Sequence, residues 1–297
     1  MNNIEISIVI ITLGRETIYR TLETICAQHI EHGFEIILIL QGEVDEARIG
    51  TINKDDIPIR IKKYPHGLGF GKYRNIGIKH SEGEVIAFID DDEWAKDYNW
   101  LTRLTEPIFN QEYFVTTSGY DVPLTGNYIT DCISLLGFPG GGALGFEKMW
   151  PVDDKNETDH ICSGNFAFHK RTGLSFNDEL KFGAEDADFG NRIVQKGYRI
   201  KYIKEATVFH IPRTGIINFI NWHVRRGISI YEFNKLGLLN KKTIRFRKRA
   251  AINIFNHSIA TKYIFGVTLI FILQYIASIL GYWQAMRRRT LMINYKI

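Results

Sequence analysis

Five apolar residues, Val85-Ile-Ala-Phe-Ile89, run straight into four acids, Asp90-Asp-Asp-Glu93. A short, uninterrupted apolar run suits a strand buried on both faces, as in a parallel sheet covered by helices. Ile6–Ile11 and Phe34–Leu40 are runs of the same kind, and Ile59-Arg-Ile61, just after Pro58, reads as a further short strand. Arg15–Gln28 reads as a helix with Ile18, Leu22 and Ile25 on one side, and Gly71–His80 reads as another. This alternation predicts an α/β domain built on a mostly parallel sheet. Ligands bind such sheets beyond the carboxyl ends of their strands.

Three strand ends carry chemistry: Thr12-Leu-Gly-Arg15, Gln41-Gly42 and Asp90–Glu93. Adjacent carboxylates repel and raise one another's pKa values unless a cation neutralises them. A hard divalent ion, Mn2+ or Mg2+, is the natural neutraliser. Ions of the magnesium type commonly take one or two carboxylates and leave positions for substrate phosphates.

Composition narrows the class. The chain is 45% hydrophobic and 24% charged, which excludes a disordered or collagenous protein. Cys26, Cys132 and Cys162 are far apart with no C-x-x-C, so they read as buried thiols rather than a disulfide scaffold or zinc site. No basic segment precedes Ile6–Ile11, and that run is too short for a secretory signal.

The order and spacing of several motifs resemble the family 2 glycosyltransferases. The opening strand Ser7–Thr12 with Arg15 is one. Arg74-Asn75-Ile-Gly77-Ile78, followed by Glu82-Gly83-Glu84 and the run into Asp90-Asp91-Asp92, is a second. Gly164-Asn165 and Glu185-Asp186-x-Asp188 with Arg192 complete the set. The resemblance implies the GT-A fold, a Rossmann-like sheet with helices on both faces, over about residues 5–212. It implies that Asp92 coordinates the metal, with Asp90 near the ribose or the metal's water shell, and that Asp91 points away. Glu185 and Asp186 become the catalytic pair, the Asp as general base. His210 becomes a third metal ligand or a diphosphate contact. Thr12, Arg15 and Gln41 would line the nucleotide, with Lys72 and Arg74 near its phosphates or ribose. Gly164 and Asn165 fall on the acceptor side; Trp150, outside the resemblance, reads either as a core residue, the commoner case for an indole, or as a ring that stacks on a sugar on that side. One departure is clear: Leu40-Gln41-Gly42 stands where the family has an Asp-rich turn that reads uracil, although an amide also suits a pyrimidine edge.

Leu136–Gly145 contains three consecutive glycines, which no stable helix interior tolerates, and reads as a lid over the site.

Charge divides the chain at residue 212. Residues 213–297 hold 15 Lys/Arg and one acid, Glu232, for +14; the remaining 22 bases and 32 acids leave residues 1–212 at −10. The expected organisation is therefore a catalytic domain over 1–212 and a basic helical region over 213–297. Tyr263–Trp283 is uncharged over 21 residues, flanked by basic Lys241–Arg249 and Arg287–Arg289. Basic flanks on both sides argue for an in-plane or re-entrant anchor on an anionic membrane surface rather than a simple span. A helical cap on the catalytic domain and an oligomer interface are the plainer readings of this tail. No nucleic-acid-binding fold accompanies it.

The expected function is an inverting, metal-dependent glycosyltransferase. It would move a sugar from a nucleotide-sugar, a UDP-sugar by resemblance, to a glycan, lipid-linked or peptide acceptor at the cytoplasmic membrane face. The alternatives are a non-catalytic membrane-bound partner of another transferase and a sugar nucleotidyltransferase. The latter needs a fuller Gly-rich basic loop than Gly14-Arg15.

Overall fold

In the computed structural model, residues 3–136, 150–181, 183–238, 241–259 and 261–294 are described. The glycine run expected to form a lid lies almost wholly outside them.

The first half follows the predicted alternation. Strand β1 (Ile4–Thr12) is followed by α1 (Thr17–Cys26), β2 (Gly33–Leu40), α2 (Glu46–Ile52), β3 (Ile59–Lys63), α3 (Phe70–His80) and β4 (Val85–Ile89). Strands β1 to β4 pair in parallel in the order β3-β2-β1-β4. Side chains alternate across the sheet, so β1 sends Ile6, Ile8 and Ile10 into one core and Val9 into the other. Both faces are covered, which is why these strands read as unbroken apolar runs. Helix α3 lies so close on β1 that a β-carbon at Gly77 would overlap the Val9 side chain.

Beyond β4 the elements shorten: β5 (Glu93–Ala95), α4 (Trp100–Phe109), β6 (Val115–Thr117), β7 (Tyr120–Asp121), α5 (Tyr128–Leu136), β8 (Glu157–Thr158) and β9 (Asn165–His169). Helix α6 (Glu185–Gln195), β10 (Ile200–Tyr202) and β11 (Val208–His210) complete this part. The large sheet continues β4-β9-β6-β10-β8, with β9 antiparallel to both of its neighbours. A second, three-stranded sheet runs β5-β11-β7. It sets His210 opposite Glu93.

Three helices follow: α7 (Ile216–Lys235), α8 (Lys241–Ser258) and α9 (Ile264–Asn294). Helices α7 and α9 cross where two glycines meet. A β-carbon at Gly227 would overlap the Ser278 carbonyl, and one at Gly281 the Val224 carbonyl. Tyr231 packs edge-on against Tyr282, and Asn234 donates to the Tyr282 hydroxyl at 3.1 Å. At its start α9 docks on α5, with Tyr263 donating to Asp131 at 3.0 Å and stacking on Tyr128. Ile264–Arg287 of α9 is long and apolar enough to cross a membrane, with a mean hydropathy of 2.1. One side of that helix, Val267, Ile270 and Ala277, is buried against the protein. The other side exposes Phe265, Leu269, Ile272, Ile276, Ile279, Trp283 and Met286.

Candidate active site

The carboxyl ends of β1, β2 and β4 converge. Gln41 N–H donates to the Thr12 carbonyl at 2.9 Å, which places Gln41 beside Thr12. The loops after β1 and β2 touch backbone to backbone. A β-carbon at Gly14, whose φ is +80°, would strike the Glu43 carbonyl, and one at Gly42 the Leu13 carbonyl. Only glycine permits this floor.

The three acids after β4 have different surroundings. Asp91 is buried and turned toward β1, where it accepts from Thr12 Oγ1 at 2.7 Å and Arg15 Nε at 3.3 Å. Thr12 and Arg15, read from the sequence as nucleotide contacts, are thus engaged by Asp91. Arg15 also reaches Asp92 at 3.2 Å. The other Asp92 oxygen, Oδ1, faces His210 Nε2 at 3.5 Å. His210 Nδ1 lies 2.6 Å from the Ile211 carbonyl, which only accepts, so Nδ1 is the protonated nitrogen. Nε2 is the ring nitrogen turned toward the Asp92 carboxylate. Two donor atoms facing each other suit a divalent cation that takes its other ligands from water or phosphate. Among the described residues no three such side chains form a complete ligand set.

Asp90 faces Arg74. Arg74 is almost fully buried on α3; its Nη2 lies 3.5 Å from Asp90 Oδ1 and its Nη1 2.5 Å from Glu185 Oε1. Burial opposes the charge on Arg74, but Glu185, Asp90 and Asp186 outweigh it and raise its pKa. Burial raises Asp90 and Glu185 above the usual carboxylate range, against the pull of Arg74. The neighbouring Asn75 pins the loop beneath, donating to the Phe176 carbonyl at 2.9 Å and accepting from Phe176 N–H at 2.7 Å. Lys72 is exposed: it lies two positions from Arg74, nearly opposite it on α3, and the helix does not bring it to these acids.

Helix α6 begins after two left-handed residues, Gly183 (φ +126°) and Ala184 (φ +66°). Such backbone at a non-glycine is strained, and strain of this kind collects at functional turns. Glu185, Asp186 and Asp188 fill the first turn, where the helix dipole favours acids. Glu185 is committed to Arg74 and Asp188 to Arg192 at 2.8 Å, while Asp186 stays half-exposed.

Two residues placed on the acceptor side by the sequence have structural partners here. Asn165 is buried and fully used. It donates to the Gly119 and Ala206 carbonyls at 2.9 Å and accepts from Trp100 at 3.0 Å, so it ties β9 to the surrounding loops. Trp150 is only 6% exposed, with its ring centre 3.9 Å from that of His160, and it fills core rather than offering a face to a sugar. Gly164 serves Glu93: a β-carbon there would overlap the Glu93 carboxyl group.

Glu93 is among the residues that sequence reasoning left without a role. It is wholly buried, accepts from the Asp90 N–H at 3.2 Å, and is held well above the usual carboxylate range by burial and by Asp90 and Asp92. Arg213, Trp222 and Arg226 were read only as parts of the basic region 213–297. The Arg213 guanidinium lies 4.6 Å, and that of Arg226 5.4 Å, from the Trp222 ring centre. Arg226 reaches the turn before α6, where a β-carbon at Gly183 would lie 3.1 Å from its Nη1. The spacing of Trp222 and Arg226, one helical turn apart, was the available signal.

Residues 7–172 match the model of glycosyl transferase family 2. The chain belongs to that family. It is 22% identical to the chondroitin synthase of Escherichia coli over 257 residues, covering 76% of this chain and 37% of that protein. It is 26% identical to the glucosyl-dolichyl phosphate glucuronosyltransferase of Haloferax volcanii over 125 residues, covering 40% and 39%. The chain spans 11–39% of the length of the curated relatives it matches. Among solved structures it resembles a mannosyltransferase from Pyrobaculum calidifontis in complex with GDP-Man and Mn2+. The TM-score is 0.57 at 14% identity, over 98% of this chain and 81% of that one. It also resembles S. aureus TarS 1–349 in complex with UDP-GlcNAc, with TM-score 0.52 and 17% identity, over 87% and 74%. The fold is thus the mixed α/β fold of the GT-A glycosyltransferases.

Proposed function

We propose that this protein is an inverting glycosyltransferase. It takes a sugar from a nucleotide-sugar donor, a UDP-sugar in the first instance, and passes it to a glycan or lipid-linked acceptor at the cytoplasmic face of a membrane. The observation that carries the reading is Arg74, which contacts Asp90 and Glu185 at once and so ties the donor acids to the start of α6.

Asp92, Asp90 and His210 would hold a divalent ion, Mn2+ or Mg2+, and its chemistry there is to offset the charge of the departing nucleoside diphosphate. The facing pair of Asp92 Oδ1 and His210 Nε2 supports that assignment. The solved mannosyltransferase that shares this fold was obtained with GDP-Man and Mn2+. Gln41 and the backbone floor at Gly14 and Gly42 line the nucleotide, and Arg15 holds Asp91 and Asp92 in place. Asp186 removes the proton from the acceptor hydroxyl as that oxygen attacks the anomeric carbon. Its neighbour Glu185 positions it by anchoring the helix start to Arg74. A placed carboxylate base contributes ~10²–10⁴-fold to such a step.

The apolar outer side of α9 supports membrane seating, and a helix with one side already buried suits lying in the interface. We propose residues 213–297 as the membrane-associating region and 1–212 as the catalytic domain. The name of the Haloferax relative specifies a dolichyl phosphate-linked sugar, which favours a lipid-linked acceptor.

The test is donor hydrolysis and transfer over a panel of nucleotide sugars, with and without chelator. Turnover of one donor that chelation abolishes and added Mn2+ restores would support the reading. Full-rate transfer by metal-stripped protein would remove the metal from it.

A further inference from the structure

Helix α9 is held near both of its ends. At its start the Gly266 N–H donates to the Tyr128 hydroxyl at 3.2 Å, and that hydroxyl donates to the Lys262 carbonyl at 3.2 Å. A β-carbon at Gly266 would overlap Cys132 Sγ, so α5 and α9 pack closely there. Further along, Tyr282 is fixed by Tyr231 and Asn234 of α7. At 1.5 Å per residue the anchors Tyr263 and Tyr282 stand about 28 Å apart, nearly the thickness of a bilayer's hydrocarbon. A crossing helix would carry its neighbour across with it. That neighbour, α7, holds Arg225, Arg226, Glu232 and Lys235, which hydrocarbon does not accept cheaply. Helix α9 can therefore meet lipid on one side only.

The apolar surface does not stop at α9. Phe265 is 84% exposed, and it adjoins the first turn of α5, where Tyr128 and Ile129 are exposed although Thr130–Leu136 are buried. Leu124, also exposed, precedes Thr125, which bonds the same Asp131 carboxylate as Tyr263. Ile259, at the end of α8, is exposed beside the same junction. Scattered apolar residues on a surface mean little, but a joined group marks an interaction site. Only cations border it: Arg245, Lys248 and Arg249 of α8 and Arg287 of α9 are exposed, and the chain has no acid after Glu232. An apolar patch with such a border matches an anionic bilayer. It does not match a second copy of itself, which would set like charges face to face.

We infer that Leu124, Tyr128 and Ile129 sit in the same anionic bilayer surface as the outer row of α9, and that α9 lies along this surface without crossing it. The membrane footprint then includes part of the catalytic domain, on the near side of residue 212. This inference rests on the membrane seating proposed above and is independent of the transfer chemistry.

The experiment labels single introduced cysteines of the full chain with nitrobenzoxadiazole. Cys26, Cys132 and Cys162 are buried, which keeps the labelling selective. Ile129→Cys and Ile279→Cys are the test positions, and Thr51→Cys, exposed on α2, is the reference. The probes are vesicles of phosphatidylcholine, with and without phosphatidylglycerol. Labels at 129 and 279 are expected to brighten and shift to the blue on the anionic vesicles, with no change at 51. Dithionite added outside should bleach both. Ile129→Asp should lower vesicle partition about tenfold, the scale of burying a half-exposed aliphatic side chain. Leu124→Asp carries that arm if Ile129→Asp fails to fold. A silent label at 129 with a responsive one at 279 overturns the inference and leaves the seating of α9 standing. A label at 279 protected from dithionite overturns it as well, because α9 then crosses. A blue-shifted label at 279 without vesicles, in a protein that sediments as a dimer, overturns it in favour of a second copy. No binding to either vesicle removes both the inference and the membrane seating.

Discussion

Arg74 Nη1 and Glu185 Oε1 lie 2.5 Å apart, and both side chains are buried. They are separated by 111 positions in the chain. Removing one partner strands the other's charge away from water, which costs far more than the pair itself contributes. Arg74→Ala should therefore lower stability by about 3–5 kcal/mol, read as a shift in the denaturant midpoint. A shift no larger than that of a surface Arg→Ala variant would show that the pair is not buried as described.

The roles proposed for Glu185 and Asp186 separate under substitution. Asp186→Asn should keep donor affinity and lose transfer by ~10²–10⁴-fold. Glu185→Gln should lower stability and reduce transfer by a smaller factor, because Glu185 acts through Arg74. If the two variants lose turnover equally with unchanged stability, Glu185 takes part in the chemistry directly.

Asp92→Ala should abolish the Mn2+-dependent part of UDP binding while leaving the fold intact, since Asp92 is partly exposed and its partner Arg15 is half in solvent. Titrating UDP with Mn2+ and with chelator reads this directly. Equal affinity under both conditions in wild-type protein would already exclude the proposed ion.

His223 makes a pH prediction. Its pKa is about 3 in the folded protein and its ordinary value is 6.5. Below 6.5 the unfolded chain binds a proton that the folded chain refuses, so stability falls as pH drops from 6.5 toward 3. The loss should be roughly 1.4 kcal/mol per pH unit over that range. His223→Gln should flatten this slope between pH 7 and 4.5 in a series of thermal melts. An unchanged slope would mean that His223 is not the group responsible.

The α7–α9 crossing is tested by Gly227→Ala. The added methyl must displace the Ser278 carbonyl, which overpacks the joint by about 1–3 kcal/mol. Gly50→Ala on α2, where a β-carbon meets open space, is the control and should not destabilise. Equal melting temperatures for the two variants would refute the close crossing.

Which parts of this could be read beforehand follows from how each residue is constrained. Strands β1, β2 and β4 were legible because burial on both faces leaves only apolar, mostly branched residues. Helix α2 was not, since Ile49 is its only buried residue and no periodicity results. Strands β5 to β8 are two or three residues long and carry no pattern at all. The acids after β4 were visible as a run, and the pairing of β11 with β5 explains why His210 arrives beside them. The packing of Asn165 and Trp150 was not legible, because an amide or an indole looks the same in a chain whether it ties a core together or meets a sugar. Arg226 was read only as part of a basic tail, because its approach to Gly183, in the turn before α6, exists only once α7 has packed there.

The close backbone approach at Gly227 and Gly281 has one more consequence. Arg226 precedes the first of these glycines, and the exposed apolar row of α9 lies on the far side of the second. With backbones this close, α7 and α9 resist sliding or tilting independently, so Arg226 and the outer apolar row move as one piece. The crossing thus couples the position of Arg226, beside the turn that opens α6, to that of the exposed apolar row of α9: neither can shift without carrying the other.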